Sequence, residues 1–306
     1  NPSFVARDSQ TGHMYAVNEI DGPGSVTAIS TNNVGAFDTC QSHGIAPCHI
    51  AIIDSTAFVA NYMTGSIAAY ELASDGRFGN LLGSYRHEGS GPHPRQESSH
   101  MHSVVHAPGT RWVYAADLGS DALLRFSLDA LIDGHGLRPS GVSAVPPGSG
   151  PRHLAFHRSL PVMYAVCELS CTLMTFTIDK TSGTLTERSS LSTLPPGTHH
   201  ESLAAAIAVH PDGSRLFISN RGDDSIATYS LDAHGDPTLV GHTWTGGRVP
   251  RDITVDPLGR WLLVANQGSG TVTRLSLNKN HQLPRDAHTI ARMPSPTSVL
   301  FTEDDA

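Results

Sequence analysis

The sequence predicts an all-β fold built of propeller blades, on three observations. One segment recurs six times: MYAVNE, AFVANY, VYAADL, MYAVCE, LFISNR and LLVANQ share an alternating apolar body that ends in a small or polar residue, at Asn18, Asn61, Asp117, Cys167, Asn220 and Asn266. Alternation with a period of two marks a half-buried strand. A strand precedes each copy and two more follow, so a unit of roughly 40 to 55 residues holds four short strands, the size of a propeller blade. No unit shows the helical periodicity that ankyrin or armadillo arrays require.

The elements of the repeat follow in order. First strands are read in NPSFVA, APCHIAI, MHSVVH, PRHLAFH, LAAAIAVH and PRDITVD, often closed by a turn such as HPDGSR or DPLGR. The recurring segment is the second strand. Third strands are read in SVTAIS, SIAAYEL, ALLRFSLD, TLMTFTID, SIATYSLD and TVTRLSLN, and a more polar fourth strand follows, as in LVGHTWTG. Gly, Asp and Pro between them supply the turns. The blades are placed at 1–44, 45–91, 98–149, 150–197, 202–247 and 248–293, within one domain spanning 1–306. SPTSVLF, residues 295–301, then supplies an orphan first strand without its partners. Propellers remove an exposed edge by closing the ring. A seven-bladed ring would need three further strands ahead of Asn1, which stands where a Met would begin a chain; a six-bladed ring with an extra strand is the alternative.

Composition narrows the function classes. Lys and Arg number 20 against 28 Asp and Glu, for a net charge of −8, and no basic run resembles a nucleic-acid or acidic-membrane patch. Nucleic acid is excluded as a partner. No apolar run reaches the roughly 18 residues of a membrane span, and residues 1–20 lack the charged start and apolar centre of a signal peptide. Cys40, Cys48, Cys167 and Cys171 follow no CxxC pairing, so reduced thiols and a cytoplasmic setting are expected. A monomer or weak homo-oligomer is expected.

Aligning the repeats isolates three columns. First strands nearest a propeller's central channel place equivalent residues in rings: Ser3, Cys48, His102, Arg152, Ala205, Arg251 and Thr297, then Phe4, His49, Ser103, His153, Ala206, Asp252 and Ser298. One step past the end of the second strand stand Glu19, Tyr62, Leu118, Glu168, Arg221 and Gln267. A purely structural column would repeat one residue type, whereas these vary and collect charge. Three guanidiniums with one carboxylate and one imidazole would be costly to gather without a ligand, because like charges repel and desolvation penalises each. An anion-binding pocket is expected, with a small anionic substrate. The competing reading has each Arg pair with a nearby acid, such as Asp252 or Asp223, and tie blades together.

The histidines admit several readings. His100 and His102, at i and i+2, share a strand face, and such a pair can begin a metal site. No third ligand is marked, so no metal is expected, and His102 is read either as a buried hydrogen-bonded side chain or as an acid/base group. His106 is read as a turn residue, equivalent to His157, His210 and Asp256.

HEGSGPHPRQESSHMHSVVHAPG, GPRHLAFH followed by YAVCELS, LFISNRGDDSIATYSLD, and TGGRVPRDITVDPLGRWLLVANQGSGTV closely resemble blades of the lactonase family. That family includes propeller-type 6-phosphogluconolactonases and fungal carboxymuconate-lactonizing enzymes. The resemblance runs from NPSFVA to SPTSVLF and implies a seven-bladed propeller that requires no cofactor or metal. In the fungal enzymes the active-site His, Arg, Glu and Arg match His102, Arg152, Glu168 and Arg221, the same residues the columns collect. Arg251, in VPRD, is similar to the bacterial pattern and adds a cation. His100, His153 and Gln267 are expected to join it in contacting substrate. Cys167 stands where the family commonly has Asn, and Cys171 where it has a small polar residue.

The resemblance implies lactone hydrolysis or its rival, lactone formation by a cycloisomerase. In hydrolysis, His102 would accept a proton from water near neutral pH, Glu168 would orient it, and the arginines would hold the oxyanion and distal anionic groups. In lactonization, His102 or Glu168 would deliver a proton to carbon. Arg251 favours the hydrolase. A non-catalytic propeller that binds proteins on its faces is a third reading; it predicts aromatic surface patches, and aromatic content is only 6%.

Overall fold

Alternation of apolar and polar residues, interrupted by turn residues, produces six four-stranded antiparallel sheets whose strands are neighbours in chain order. The computed structural model describes residues 2–20, 22–31, 35–277 and 283–301. Asn1 and Asn278, which bound two of the expected strands, lie outside them. The first strands are Pro2–Arg7, Pro47–Ile53, Met101–His106, Pro151–Phe156, Leu203–Val209 and Pro250–Val255. The second strands are Met14–Asn18, Thr56–Asn61, Trp112–Asp117, Val162–Cys167, Arg215–Arg221 and Trp261–Asn266. The fold is a β-propeller with six four-stranded blades. It divides into two compact units, Asn1–Pro151 and Arg152–Ala306. No helix among the described residues is long and apolar enough to cross a membrane.

Within each unit the apolar faces of successive sheets pack on one another. In the first unit, Tyr15, Val17 and Val26 of the first blade meet Ile50, Val59 and Ala68 of the second. Phe58 and Ile67 then meet Met101, Val104 and Phe126 of the third. In the second unit, Tyr164, Val166 and Leu173 meet Leu216, Ile218 and Ala227, and Phe217 and Ile226 meet Ile253, Val264 and Leu275. Fully burying one such side chain contributes about 1.5 to 3 kcal/mol.

Buried tyrosines fasten blades through their hydroxyls, because a phenol taken from water needs a partner. Tyr15 donates to the Gly76 carbonyl (2.7 Å) and Tyr164 to that of Gly235 (2.6 Å). Both glycines sit in the left-handed region, with φ of 80° and 79°. A Cβ on Gly76 would also lie 2.6 Å from the His13 ring. Tyr229 donates to the Ser192 carbonyl at 2.6 Å, and Tyr70 to that of Gln41.

Histidine fastens other turns. His157 Nδ1 accepts the N–H groups of Ser159 and Leu160, while Nε2 donates to the Gly213 carbonyl of the next blade. His210 repeats this, with Nε2 donating to Gly259. Asp8 and Asp256 take the same place, each accepting N–H groups of its turn. His106 does not belong to this series. The amides of Asp8, His157, His210 and Asp256 each bond back to the carbonyl five residues on, and in the third blade it is Ala107 that does so, to Trp112. His106 is the last residue of its strand, and its Nε2 bonds the Thr110 carbonyl (2.7 Å). The residue of the third blade equivalent to His157, His210 and Asp256 is therefore Ala107, one place after His106.

Two further departures are local. The third strand ALLRFSLD ends at Ser127, whose side chain accepts from Ala130 N–H and caps a one-turn helix, Leu128–Ile132; burial of Leu128 and Leu131 holds it. Residues 295–301 enter no ladder among the described residues, as an orphan strand must. Val299 N–H instead donates to Asp252 Oδ2 (2.9 Å), and Gln267 Nε2 to Ser295 Oγ (3.3 Å). Val104 N–H likewise donates to His49 Nδ1 (3.5 Å) of the preceding blade. Val104 and Val299 lie two residues past His102 and Thr297, so the final segment docks on the sixth blade as a first strand docks on its neighbour.

Candidate active site

The first column coincides with a defect in the ladder. Pro2 pairs with Asn18 but Phe4 with Val17; Pro47 with Asn61 but His49 with Ala60; Met101 with Asp117 but Ser103 with Ala116; Pro250 with Asn266 but Asp252 with Ala265. Ser3, Cys48, His102 and Arg251 are therefore the extra residues of β-bulges, and Arg152 holds the equivalent place in its strand. In the fifth blade the register shifts between Ala204 and Ile207. A bulge re-aims one side chain while the strand continues. The repeat thus turns one residue per first strand out of the alternating pattern, which frees that column to vary.

In the second unit these positions build a charged cluster. Arg152 Nε lies 2.9 Å from Glu168 Oε2 and Arg221 Nη2 lies 2.7 Å from the same oxygen. The side chains are 3%, 13% and 1% exposed for Arg152, Arg221 and Glu168, so this is a buried triad. Arg152 Nη1 also donates to the Ala205 carbonyl (2.8 Å) and meets His153 Nε2 (3.0 Å); Arg221 Nη2 donates to the Ala204 carbonyl (3.2 Å). Second-strand ends carry Glu168 and Arg221 to the bulge of the first strand, as the columns anticipated. The acid that pairs with both arginines is Glu168. Asp223 instead accepts from Ser225 and faces His200.

Charge in the cluster does not balance. Two guanidiniums on one carboxylate sum to +1 within these three largely buried residues, and buried positive charge favours an anion beside it. Asp252 lies in the field of Arg152, but burial pushes its carboxyl up, against the opposing pull of Val299 N–H, the Ser298 hydroxyl, Arg152 and Ile253 N–H. It is therefore a poorer counter-charge than an ordinary aspartate. Arg251 is half-buried beside it. Gln267, expected at the substrate, reaches Ser295. Burial also raises the Cys171 thiol, which donates to the Ser202 carbonyl (3.1 Å) next to the triad.

In the first unit, His100 and His102 gather around Tyr62. The His100 ring stacks on Tyr62 at 4.4 Å and 7°, and His102 meets its edge at 5.6 Å and 84°. His100 Nδ1 bonds the Tyr62 carbonyl (3.0 Å) and Nε2 lies 3.3 Å from Glu97 Oε1. Both ring nitrogens of His100 are thereby engaged. Among the described residues no three His, Cys, Asp or Glu side chains gather as metal ligands. His102 is 6% exposed, and its carbonyl accepts from Cys48 Sγ at 3.4 Å. Tyr62 stands in the same column as Glu168 and Arg221.

Part of the tie-forming reading holds as well. Ser3 Oγ donates to the Pro47 carbonyl (3.5 Å), Cys48 to His102 and Arg152 to Ala205, so first-column side chains also link one first strand to the next.

Comparison with known proteins follows the same direction. Residues 1–301 match the family described as Lactonase, 7-bladed beta-propeller. The 6-phosphogluconolactonase of Bacillus subtilis is 32% identical over 98% of this chain and 85% of its own. A 6-phosphogluconolactonase of Formosa agariphila is 30% identical over 89% of this chain and 80% of its own. The solved structure of the periplasmic gluconolactonase of Pseudomonas aeruginosa superposes with a TM-score of 0.90 at 28% identity, covering 97% of this chain and 87% of that one.

Proposed function

Because the chain belongs to the lactonase family of seven-bladed β-propellers, we propose that it hydrolyses an anionic sugar-acid lactone, a phosphorylated one by preference, and binds it through Arg152 and Arg221. The net +1 of the buried Arg152–Glu168–Arg221 cluster supports this reading most directly. Water attacks the lactone carbonyl carbon, the carbonyl oxygen gathers negative charge, and the ring oxygen leaves as an alcohol once protonated. Guanidinium N–H groups fixed in a dry site stabilise that oxyanion without reorganising. They also match carboxylate and phosphate geometry through paired donors. Glu168 keeps the two cations together and sets their orientation.

His102 is the group we assign to proton transfer, from its place in the bulge column and the reach of imidazole chemistry at neutral pH. Arg251 supplies a further cation for a distal phosphate or carboxylate. Relatives named for lactone hydrolysis favour the hydrolase over the cycloisomerase and over a binding-only propeller. The four free thiols fit the cytoplasmic expectation, whereas the Pseudomonas relative is named periplasmic.

Assaying the purified chain with 6-phosphogluconolactone, gluconolactone and 3-carboxymuconate tests the reading. Faster loss of the phosphorylated lactone than in buffer, with no reaction of the muconate, is expected. His102→Ala and Arg152→Ala should each lower the rate by on the order of 100-fold. Turnover that survives both substitutions removes these residues from the reaction, and turnover of the muconate alone replaces hydrolysis with cycloisomerization.

A further inference from the structure

His153 follows Arg152 in the strand Pro151–Phe156 and is 8% exposed. Its Nε2 lies 3.0 Å from Arg152 Nη1. A guanidinium carries donors only, so the bond between these nitrogens exists only if Nε2 presents its lone pair. The second hydrogen of the same Nη1 goes to the Ala205 carbonyl at 2.8 Å. Nε faces Glu168 Oε2 at 2.9 Å. Both hydrogens of Nη1 are thus engaged beside the ion pair, and a proton on His153 Nε2 removes one of these holds.

We propose that His153 is a positioning residue: as a neutral imidazole with its proton on Nδ1, it holds the Arg152 guanidinium through Nε2, and acid releases that hold. Protonation replaces the lone pair with an N–H aimed at another N–H and sets imidazolium against guanidinium, in a cluster that already carries excess positive charge. Charged groups linked to it in its unit include Arg152, then Glu168 and Arg221 through the shared ion pair, and Asp252 in the field of Arg152. Glu168 cannot compensate for the added charge while it serves both arginines. Released from His153, Arg152 keeps its ion pair and its bond to the Ala205 carbonyl but loses one restraint on its rotation, and a bidentate contact to an anion depends on that rotation.

The kinetic side of this proposal rests on the lactonase reading of the site; the tautomer does not. Nitrogen-15 imidazole correlation spectra of the full chain, with His153→Gln to assign the signal, should show His153 protonated on Nδ1 and bare on Nε2 at neutral pH. An Nε2–H tautomer overturns the proposal whether or not the protein turns over any lactone. For kinetics, Gln retains an acceptor at every pH and Phe retains none. His153→Gln should lose a smaller fraction of its own neutral-pH activity on acidification than wild type loses of its own. His153→Phe should raise KM for the lactone on the order of 10-fold at neutral pH, the worth of a hydrogen bond to a charged group, and that gap to wild type should close on acidification. If Phe leaves KM and the pH profile as in wild type, His153 does not act through Arg152.

Discussion

The two units spell one backbone in different chemistry. In the first, histidine at the first strands' bulge and approach meets an aromatic ring and backbone carbonyls, as His100 and His102 do around Tyr62. In the second, the equivalent positions hold charge against charge, as in Arg152, Glu168 and Arg221. The ladders, bulges and tyrosine ties are common to both. Architecture here is set by the alternating positions, while chemistry is set by the positions a bulge exempts from alternation. Contacts of the first kind are neutral and replaceable; those of the second fail badly when one member is removed.

The largest expected effect follows from that contrast. Glu168→Gln leaves two buried guanidiniums without their carboxylate and should cost about 3 to 5 kcal/mol, the penalty for breaking a buried pair. Glu97→Gln, at the His100 contact, removes a carboxylate that is 64% exposed and should cost less than about 1 kcal/mol. Urea unfolding of both variants measures the difference. Equal losses would erase the distinction between the units, and a stable Glu168→Gln protein would mean that the triad is not what neutralises its arginines.

The repeat carried most of the fold because period-two alternation and turn residues are local signals. Each of the six second strands was legible in segments such as MYAVCE and LLVANQ, and the columns led to Arg152, Glu168 and Arg221 together. What was hidden depends on register and reach. Nothing in PRDITVD marks Arg251 as a bulge residue, since a bulge shows only when the partner strand is laid beside it. The sharing of Glu168 by two arginines is hidden as well, because Asp223 lies much nearer to Arg221 in sequence than Glu168 does. Gln267 reaches Ser295, 28 residues on, across a docked segment that no local pattern predicts. The one-residue offset at His106 has the same origin, because the bond from the Ala107 amide to the Trp112 carbonyl defines the alignment.

An effect shared by both units comes next in size. Tyr15 in the first and Tyr164 in the second make the same bond to a left-handed glycine. Tyr164→Phe and Tyr15→Phe should each cost about 1 kcal/mol, so these variants should not distinguish the units where the Glu168 and Glu97 variants do. Burial and nearby Asp8 and Asp75 push the Tyr15 hydroxyl from 10.0 up to about 12. The folded state therefore releases this proton at higher pH than the unfolded chain does. Its contribution is fully present below pH 10 and is lost as pH rises toward 12. The midpoint of thermal unfolding should fall over that window, less steeply in Tyr15→Phe. An unchanged slope would show that the tie carries no linkage.

The smallest effect concerns a position where the units differ by one residue. The hairpin between second and third strands places Asp121, Cys171 and Asp224 in the left-handed region, with φ of 52°, 50° and 56°. Each holds the residue leading into the next first strand: Asp121 accepts Gly150 N–H (2.7 Å), Asp224 accepts Val249 N–H (2.7 Å), and Cys171 donates to the Ser202 carbonyl (3.1 Å). Asp and Asn are enriched in this backbone region and Cys is not, its only local side-chain bond among the described residues being the weak one from Sγ to the Glu168 carbonyl (3.6 Å). Cys171→Asn keeps a donor for Ser202 and relaxes the backbone, so it should stabilise the protein by about 0.5 to 1 kcal/mol. Because Cys171 stands beside Arg221 and Glu168, the same variant shows whether that strain serves the cluster. A gain in stability with unchanged lactone turnover makes Cys171 a neutral substitution in the repeat, whereas a gain accompanied by loss of turnover ties the strained hairpin to the placement of Arg221.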